Sequence, residues 1–300
     1  MSEDRTFFLV NHKNDYFYKY EDACVQPVKN GKLNTFIYLI FKKIGLRLPK
    51  FIFNEKIINA IGDGNCNEAI IVDSVYSDSL LKSLDRWGFD CKLYYMNKIN
   101  DDNVKLLEKF DADDVYTFSE WDSKKYGIHC LGTPYSSNII KKTSDVSYDA
   151  VFLGREKNRR DEIERIYKLL CSMKLECKFM VLDSTSDISE IKLDNYITYD
   201  RYIEYVSKSK CIVELLVDGQ DSRSLRVLES VFLNRKLITN CKNVVNEPFY
   251  DKNNIFILGV DNDDDIYSFV NEPYQRISED KYRQYDFKEW IHNFNKKEEM

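Results

Sequence analysis

Lys210–Asn240 reads KCIVELLVDGQDSRSLRVLESVFLNRKLITN. Cys211–Val217 is an apolar run with one acidic residue inside it, the pattern of a buried strand. Ser224–Leu233 repeats apolar residues at helical spacing, and Lys236–Thr239 returns to a short apolar run. The order is strand, loop, helix, strand. The loop Asp218-Gly219-Gln220-Asp221-Ser222 stands directly before the helix, where free backbone N–H groups and the helix dipole favour a phosphate. Arg223 and Arg226 add positive charge there, and a guanidinium grips a diphosphate with two parallel bonds. Glu229 lies three residues after Arg226 on the same helix face, suited to accept bonds from ribose hydroxyls. The bland alternative is an amphipathic helix with an internal salt bridge.

The same alternation extends in both directions. Downstream of a polar stretch at Tyr135–Asp145, the spacing predicts strands at Tyr148–Leu153 and Cys177–Leu182 flanking a helix at Arg160–Met173. An extended piece at Ile197–Tyr199, a helix at Tyr202–Ser207, a strand at Asn254–Leu258 and a mostly helical Asp280–Phe294 complete that half. Upstream, strands are predicted at Thr6–Val10, Ala69–Asp73, Cys91–Met96 and Asp114–Phe118. Helices are predicted at Lys32–Ile44, Ser77–Trp87 (ended by Gly88) and Asp102–Phe110. Strands alternating with helices form parallel sheets covered on both faces. The expected architecture is α/β, two Rossmann-like domains facing across a cleft, with residues 1–140 in the first and 141–300 in the second. In such sheets a ligand sits at the carboxyl ends of the strands.

Lys210–Asn240 resembles the donor-site signature of GT-B glycosyltransferases. It is most similar to bacterial lipopolysaccharide and capsular polysaccharide biosynthesis proteins, whose pattern is roughly G-Q-S-G-x-T-x-R-x-x-E-A. Gly219, Gln220, Arg226 and Glu229 match, with Ser224 for Thr and Ser230 for Ala. Asp221 and Ser222 stand where the family has Ser-Gly. A weaker likeness covers Asp114–Tyr135, through Thr117-Phe118-Ser119-Glu120-Trp121-Asp122-Ser123-Lys124-Lys125-Tyr126. The resemblance implies a GT-B arrangement and transfer of a sugar from a nucleotide-diphosphate sugar to a polysaccharide or lipid-linked oligosaccharide during surface polysaccharide synthesis. The nucleotide sugar is then a substrate, and no cofactor is expected. The competing expectation is a non-catalytic nucleotide- or partner-binding protein of the same fold.

Three further segments carry charge in telling places. Phe152-Leu153-Gly154-Arg155-Glu156-Lys157-Asn158-Arg159-Arg160 ends a strand in glycine and enters a helix through a basic loop. Gly154 allows close backbone approach, and Arg155 and Lys157 are suited to meet charge on a leaving diphosphate. Arg159 and Arg160 are assigned to the surface. Asp73 closes an apolar strand; it is the candidate general base toward an acceptor hydroxyl, unless it or Ser77 caps the following helix. Residues 29–53 mix Phe36, Ile37, Leu39, Ile40, Phe41, Ile44 and Leu46 with Lys29, Lys32, Lys42, Lys43, Arg47 and Lys50. That mixture predicts either peripheral contact with an anionic membrane surface or a core helix with basic ends. Gly62-Asp63-Gly64-Asn65 reads as a turn. His12 is a minor candidate for the cleft. The two D-x-D pairs, Asp111–Asp113 and Asp261–Asp263, are expected by chance in so acidic a chain, and no metal is expected.

The 300 residues are 43% hydrophobic and 31% charged, which excludes disordered and low-complexity classes. A formal charge of −6 argues against a nucleic-acid partner. None of the eight cysteines forms C-x-x-C, so free thiols in a reducing cytoplasm are expected. The first apolar run is short for a signal peptide, and no apolar stretch has the length to span a bilayer.

Overall fold

The computed structural model describes residues 5–10, 25–27, 31–53, 55–62, 67–139, 146–217 and 224–295. It divides into two units, Met1–Asn138 with Phe287–Met300, and Ile139–Asp286. Each is built on a six-stranded sheet whose paired strands are all parallel. The chain is therefore α/β with two doubly wound sheets, as the alternation of apolar runs and amphipathic helices requires.

Unit 1 contains strands β1 (Arg5–Val10), β2 (Val25–Pro27), β3 (Asn67–Val72), β4 (Phe89–Tyr95), β5 (Val115–Thr117) and β6 (His129–Cys130), in the order β2-β1-β3-β4-β5-β6. Its helices are α1 (Gly31–Ile44), α2 (Glu55–Gly62), α3 (Asp78–Arg86) and α4 (Glu120–Tyr126). All six residues of β3 are buried, which is what a central strand covered on both faces demands. Ser77 rather than Asp73 caps α3, its hydroxyl accepting from Leu80 N at 3.2 Å. Leu80 and Leu84 face the core, and α3 stops at Gly88, whose φ of +79° only glycine adopts freely.

Unit 2 contains β7 (Tyr148–Arg155), β8 (Cys177–Leu182), β9 (Lys192–Leu193), β10 (Ser209–Glu214), β11 (Lys236–Thr239) and β12 (Ile255–Ile257), in the order β12-β11-β10-β7-β8-β9. Its helices are α5 (Arg160–Ser172), α6 (Tyr199–Ser207), α7 (Leu225–Phe232) and α8 (Ile266–Asn271). Ala150, Phe152, Phe179, Cys211, Val213 and Ile238 point to one face and pack with Ile163, Ile166 and Leu170 of α5 and Ile266 and Val270 of α8. Residues of the other parity, Val151, Ile212 and Leu237, are equally buried, and α6 and α7 also pack on β10.

Several expectations shift. Val104–Lys109 forms a 3-10 helix, not the α-helix predicted for Asp102–Phe110. Tyr199 begins α6 behind its extended cap Thr198, so the extended piece expected at Ile197–Tyr199 stops before Tyr199 and the helix expected at Tyr202 starts earlier; the paired strand in this stretch is Lys192–Leu193. The polar stretch begins inside unit 1: Tyr135 is fully buried and its carbonyl accepts from Phe287 N at 2.7 Å. The predicted second domain ran to residue 300, whereas the closing segment Phe287–Met300 groups with unit 1. Asp280–Phe294 is broken into 3-10 turns around the short α9 (Phe287–Trp290). The predicted turn at Gly62–Asn65 and His12 lie largely or wholly outside the described residues. No helix among the described residues is long and apolar enough to cross a membrane.

Candidate functional site

In unit 2 the chain leaves β7 through α5 to β8 on one side, then returns through α6 to β10 on the other. The strand order thus reverses between β7 and β10, which pair through Cys211 and Ala150. The carboxyl ends of the strands flanking such a reversal are where doubly wound folds bind ligands.

Two arginines span this point in opposite directions. Arg159, in the loop between β7 and α5, donates to Leu215 O just beyond β10, and also to Arg155 O at 2.6 Å and Glu156 O at 3.5 Å. Arg226, in the first turn of α7, reaches back to donate to Leu153 O of β7. Its guanidinium carbon lies 5.9 Å from the centre of the Tyr202 ring. Burial, and then the neighbouring charge of Arg226, lowers the pKa of Arg159.

Two carboxylates lie beneath them. Glu214, the last residue of β10, is 1% exposed and accepts from the Ser224 and Thr239 hydroxyls. Ser224 uses both capacities of its hydroxyl: it donates to Glu214 and caps α7 by accepting from Arg226 N at 3.1 Å. Glu229, 2% exposed, accepts from Tyr202 Oη at 2.8 Å and Tyr199 Oη at 3.1 Å. Burial pushes both carboxyl groups above the usual range. Hydrogen bonds from Ser224 and Thr239 oppose this at Glu214; the Arg226 charge and the two tyrosines oppose it at Glu229. Asn240 ties the surrounding loop together, accepting from Leu216 N at 2.7 Å and donating to Glu162 at 3.1 Å.

Arg226, Glu229 and Gly154 therefore come together at the switch point, but with particular duties. Glu229 is enclosed by Tyr199 and Tyr202 rather than presented at an open surface. Gly154 leaves room for the protein's own groups: a Cβ there would sit 3.1 Å from Phe152 Cζ and 3.3 Å from Arg159 Nη2. Arg155 and Lys157 point outward. Arg155 pairs with Asp183 at 2.9 Å, both side chains 65% exposed, so the pair contributes little. Lys157 is exposed and has a left-handed φ of +49°, a conformation that costs a side-chain-bearing residue about 1 kcal/mol. Between them Glu156 turns inward. Burial opposes its charge, yet bonds from Thr185 and Ser184 hold it below the usual range. Gly219, Gln220 and Ser222 fall in 218–223, outside the described residues.

Arg159 is the main correction: assigned to the surface from sequence, it is half-buried and central to the cluster. Glu214, Tyr199, Tyr202 and Thr239 were also not singled out. A glutamate closing the apolar run Cys211–Glu214 is a signal that could have marked the first of them.

In unit 1, Asp73 follows β3 at the carboxyl edge of the sheet. Its oxygens accept from Met96 N at 3.2 Å and Asn97 Nδ2 at 3.0 Å, tying down the segment after β4. Burial raises its pKa, and these bonds oppose the rise.

No family model matches this chain, and no curated protein matches it. Among solved structures it is similar to the spinosyn forosaminyltransferase SpnP, at 10% identity and a TM-score of 0.41, over 98% of this chain and 93% of that one.

Proposed function

We propose that the chain transfers a sugar from a nucleotide-diphosphate sugar, with unit 2 binding the donor and unit 1 the acceptor. The observation that carries the reading is the reciprocal pair Arg159 and Arg226 across the strand reversal, beside the N-terminus of α7. Charge developing on a leaving diphosphate would be met there by guanidinium and backbone N–H groups. Arg226 contacts the diphosphate and Gly154 admits Arg159 beside it; Gly219, Gln220 and Ser222 are carried as further donor contacts on the resemblance alone, and Arg155 and Lys157 supply the outer rim. Glu229 acts through the tyrosines it holds, and the ribose contact first expected of it requires one of them to give way. The acceptor is a polysaccharide or lipid-linked oligosaccharide, the role suggested by the resemblance of Lys210–Asn240 to surface-polysaccharide enzymes. No separate cofactor is required by this chemistry.

A thermal-shift series with UDP, GDP, CDP, dTDP and their sugar conjugates tests the donor site. Binding at a hundredfold excess over Kd stabilises the fold by about 2.7 kcal/mol. One nucleotide family is expected to raise the melting temperature, and Arg226→Ala to weaken its binding by roughly ten- to a hundredfold. Unchanged affinity in the variant removes Arg226 from the site, and the absence of any shift removes the donor reading.

One observation favours a second reading, nucleotide binding without transfer: both Asp73 oxygens already hold the chain after β4. If Asp73 is nonetheless the base, Asp73→Asn abolishes transfer while sparing nucleotide binding. A wild-type chain that binds nucleotide but neither transfers nor hydrolyses the donor supports the second reading.

A further inference from the structure

The structure points to a second surface, on unit 1, that nothing in the donor site explains. On α1 the residues Phe36, Leu39, Ile40 and Ile44 are 43 to 63% exposed. Their spacing of three and four residues places them on one stripe. The opposite stripe is anchored: Tyr38 is buried, its hydroxyl 3.1 Å from Ser77 Oγ, and Phe41 O accepts from Ser79 Oγ at 3.0 Å. The helix is thus fixed on α3 with its apolar side turned out.

The stripe continues beyond the helix. Gly45, at φ +66°, turns the chain back, and Leu46 and Phe51 are again more than half exposed. Asn34 Nδ2 donates to Phe51 O at 3.1 Å, which holds Phe51 beside the start of α1 and joins the six residues into one patch. Leu48 N donates to Ser83 Oγ at 2.8 Å, so the returning segment is fastened to the core as well. Scattered exposed apolar residues are ordinary; a pinned, contiguous set of six is the mark of an interaction surface.

Charge identifies the partner. Asp and Glu make up 50 of the 300 residues, yet none falls between Asp22 and Glu55. The described part of that interval carries Lys42, Lys43, Arg47 and Lys50, all exposed. Long basic side chains at the margin of an apolar stripe keep their heads in the anionic layer while the stripe enters the acyl boundary. A basic segment with no acidic residue of its own, on a chain of net charge −6, complements an anionic surface, and an aliphatic-aromatic stripe complements lipid chains. We propose that this patch docks unit 1 onto an anionic lipid bilayer, lying in the interface without crossing it. The inference does not depend on the transfer reading. The vesicle assay reads unit 1 and the nucleotide assay reads unit 2, so either can fail alone.

The experiment is co-sedimentation of the full chain with vesicles of phosphatidylcholine alone or mixed with phosphatidylglycerol. Binding is expected with the mixed vesicles, weakening as salt is added. Leu39→Asp with Ile40→Asp should abolish it. Lys42→Ala with Lys43→Ala should weaken it roughly thirtyfold, the effect of two basic residues at such a surface. All four positions are exposed, and circular dichroism melts confirm that the variants fold. Equal binding to both vesicle types, or none to either, overturns the proposal. So does a dimer in light scattering that Leu39→Asp with Ile40→Asp dissociates while vesicle binding is absent, since the face would then belong to a second copy.

Discussion

Glu229 sits where charge is hard to keep, and its surroundings turn that into a pH dependence. Its folded-state pKa is above the ordinary 4.5 because it is buried, and Glu214 shares the direction and the cause. Above that ordinary value the folded chain holds more protons at these sites than the unfolded chain does. Their contribution to stability is therefore complete below the unfolded pKa and declines as pH rises through the folded one. Glu229→Gln, which mimics the protonated form, is expected to flatten the fall in unit 2 stability as pH rises above the ordinary carboxylate range, leaving Glu214 to supply the remainder. Urea unfolding of both proteins across that rise in pH measures it; parallel curves would mean that Glu229 does not titrate there. An anion bound against Arg226 would draw positive potential away from both carboxylates, so nucleotide binding should be accompanied by proton uptake.

Among the elements, those legible in the sequence are the ones whose own side chains suffice to specify them. Cys177–Leu182 (CKFMVL) and Lys236–Thr239 (KLIT) are short segments with apolar centres and form strands with those same bounds. Helix α3 was legible for the same reason: a serine cap, leucines four apart and a terminal glycine. Its cap also serves α1, since Ser77 Oγ lies 3.1 Å from the Tyr38 hydroxyl. Ser77→Ala is expected to cost unit 1 about 1–2 kcal/mol in chemical unfolding; no change would mean that the packing of Leu80 and Leu84 alone holds the helix start. The two-residue strands β6 and β9 are specified by their neighbours in the sheet, not by local pattern, and carry no readable period. The candidate site divides along the same line. Arg226 and Glu229 could be read because they share one helix. Arg159 could not, because its partner Leu215 O is 56 residues away and adjacent Arg159-Arg160 looks like any solvated helix start.

At the scale of the whole chain, the first unit is closed by its last residues. Phe287, Trp290, Ile291 and Phe294 are each at most 5% exposed. Phe287 and Trp290 stand 5.5 and 5.8 Å from Phe8 of β1, and Trp290 also lies 5.1 Å from Tyr94 of β4. Phe294 reaches Tyr116 of β5 at 4.7 Å, and its carbonyl accepts from the Tyr116 hydroxyl at 2.6 Å. Trp290 Nε1 donates to Leu131 O at 2.9 Å. One short segment thus touches three strands of a sheet whose first strand begins at residue 5. Burying four large apolar side chains contributes roughly 1.5–3 kcal/mol each, about 6–12 kcal/mol as an upper bound. That matches the entire stability of an ordinary domain, about 5–15 kcal/mol. A chain ending at Asp286 is therefore expected to lose the folding of unit 1 while unit 2, whose core of Phe152, Ile166, Phe179 and Val213 includes none of these residues, keeps a cooperative transition. Thermal melts followed by circular dichroism, with hydrogen exchange to assign each transition, decide it. A truncated chain whose β3 and β4 amides stay protected would show that the sheet of unit 1 stands without its closing segment. Protection lost there and kept in β7 and β10 would show that unit 1 needs the segment beginning at Phe287 to fold, while unit 2 folds without it.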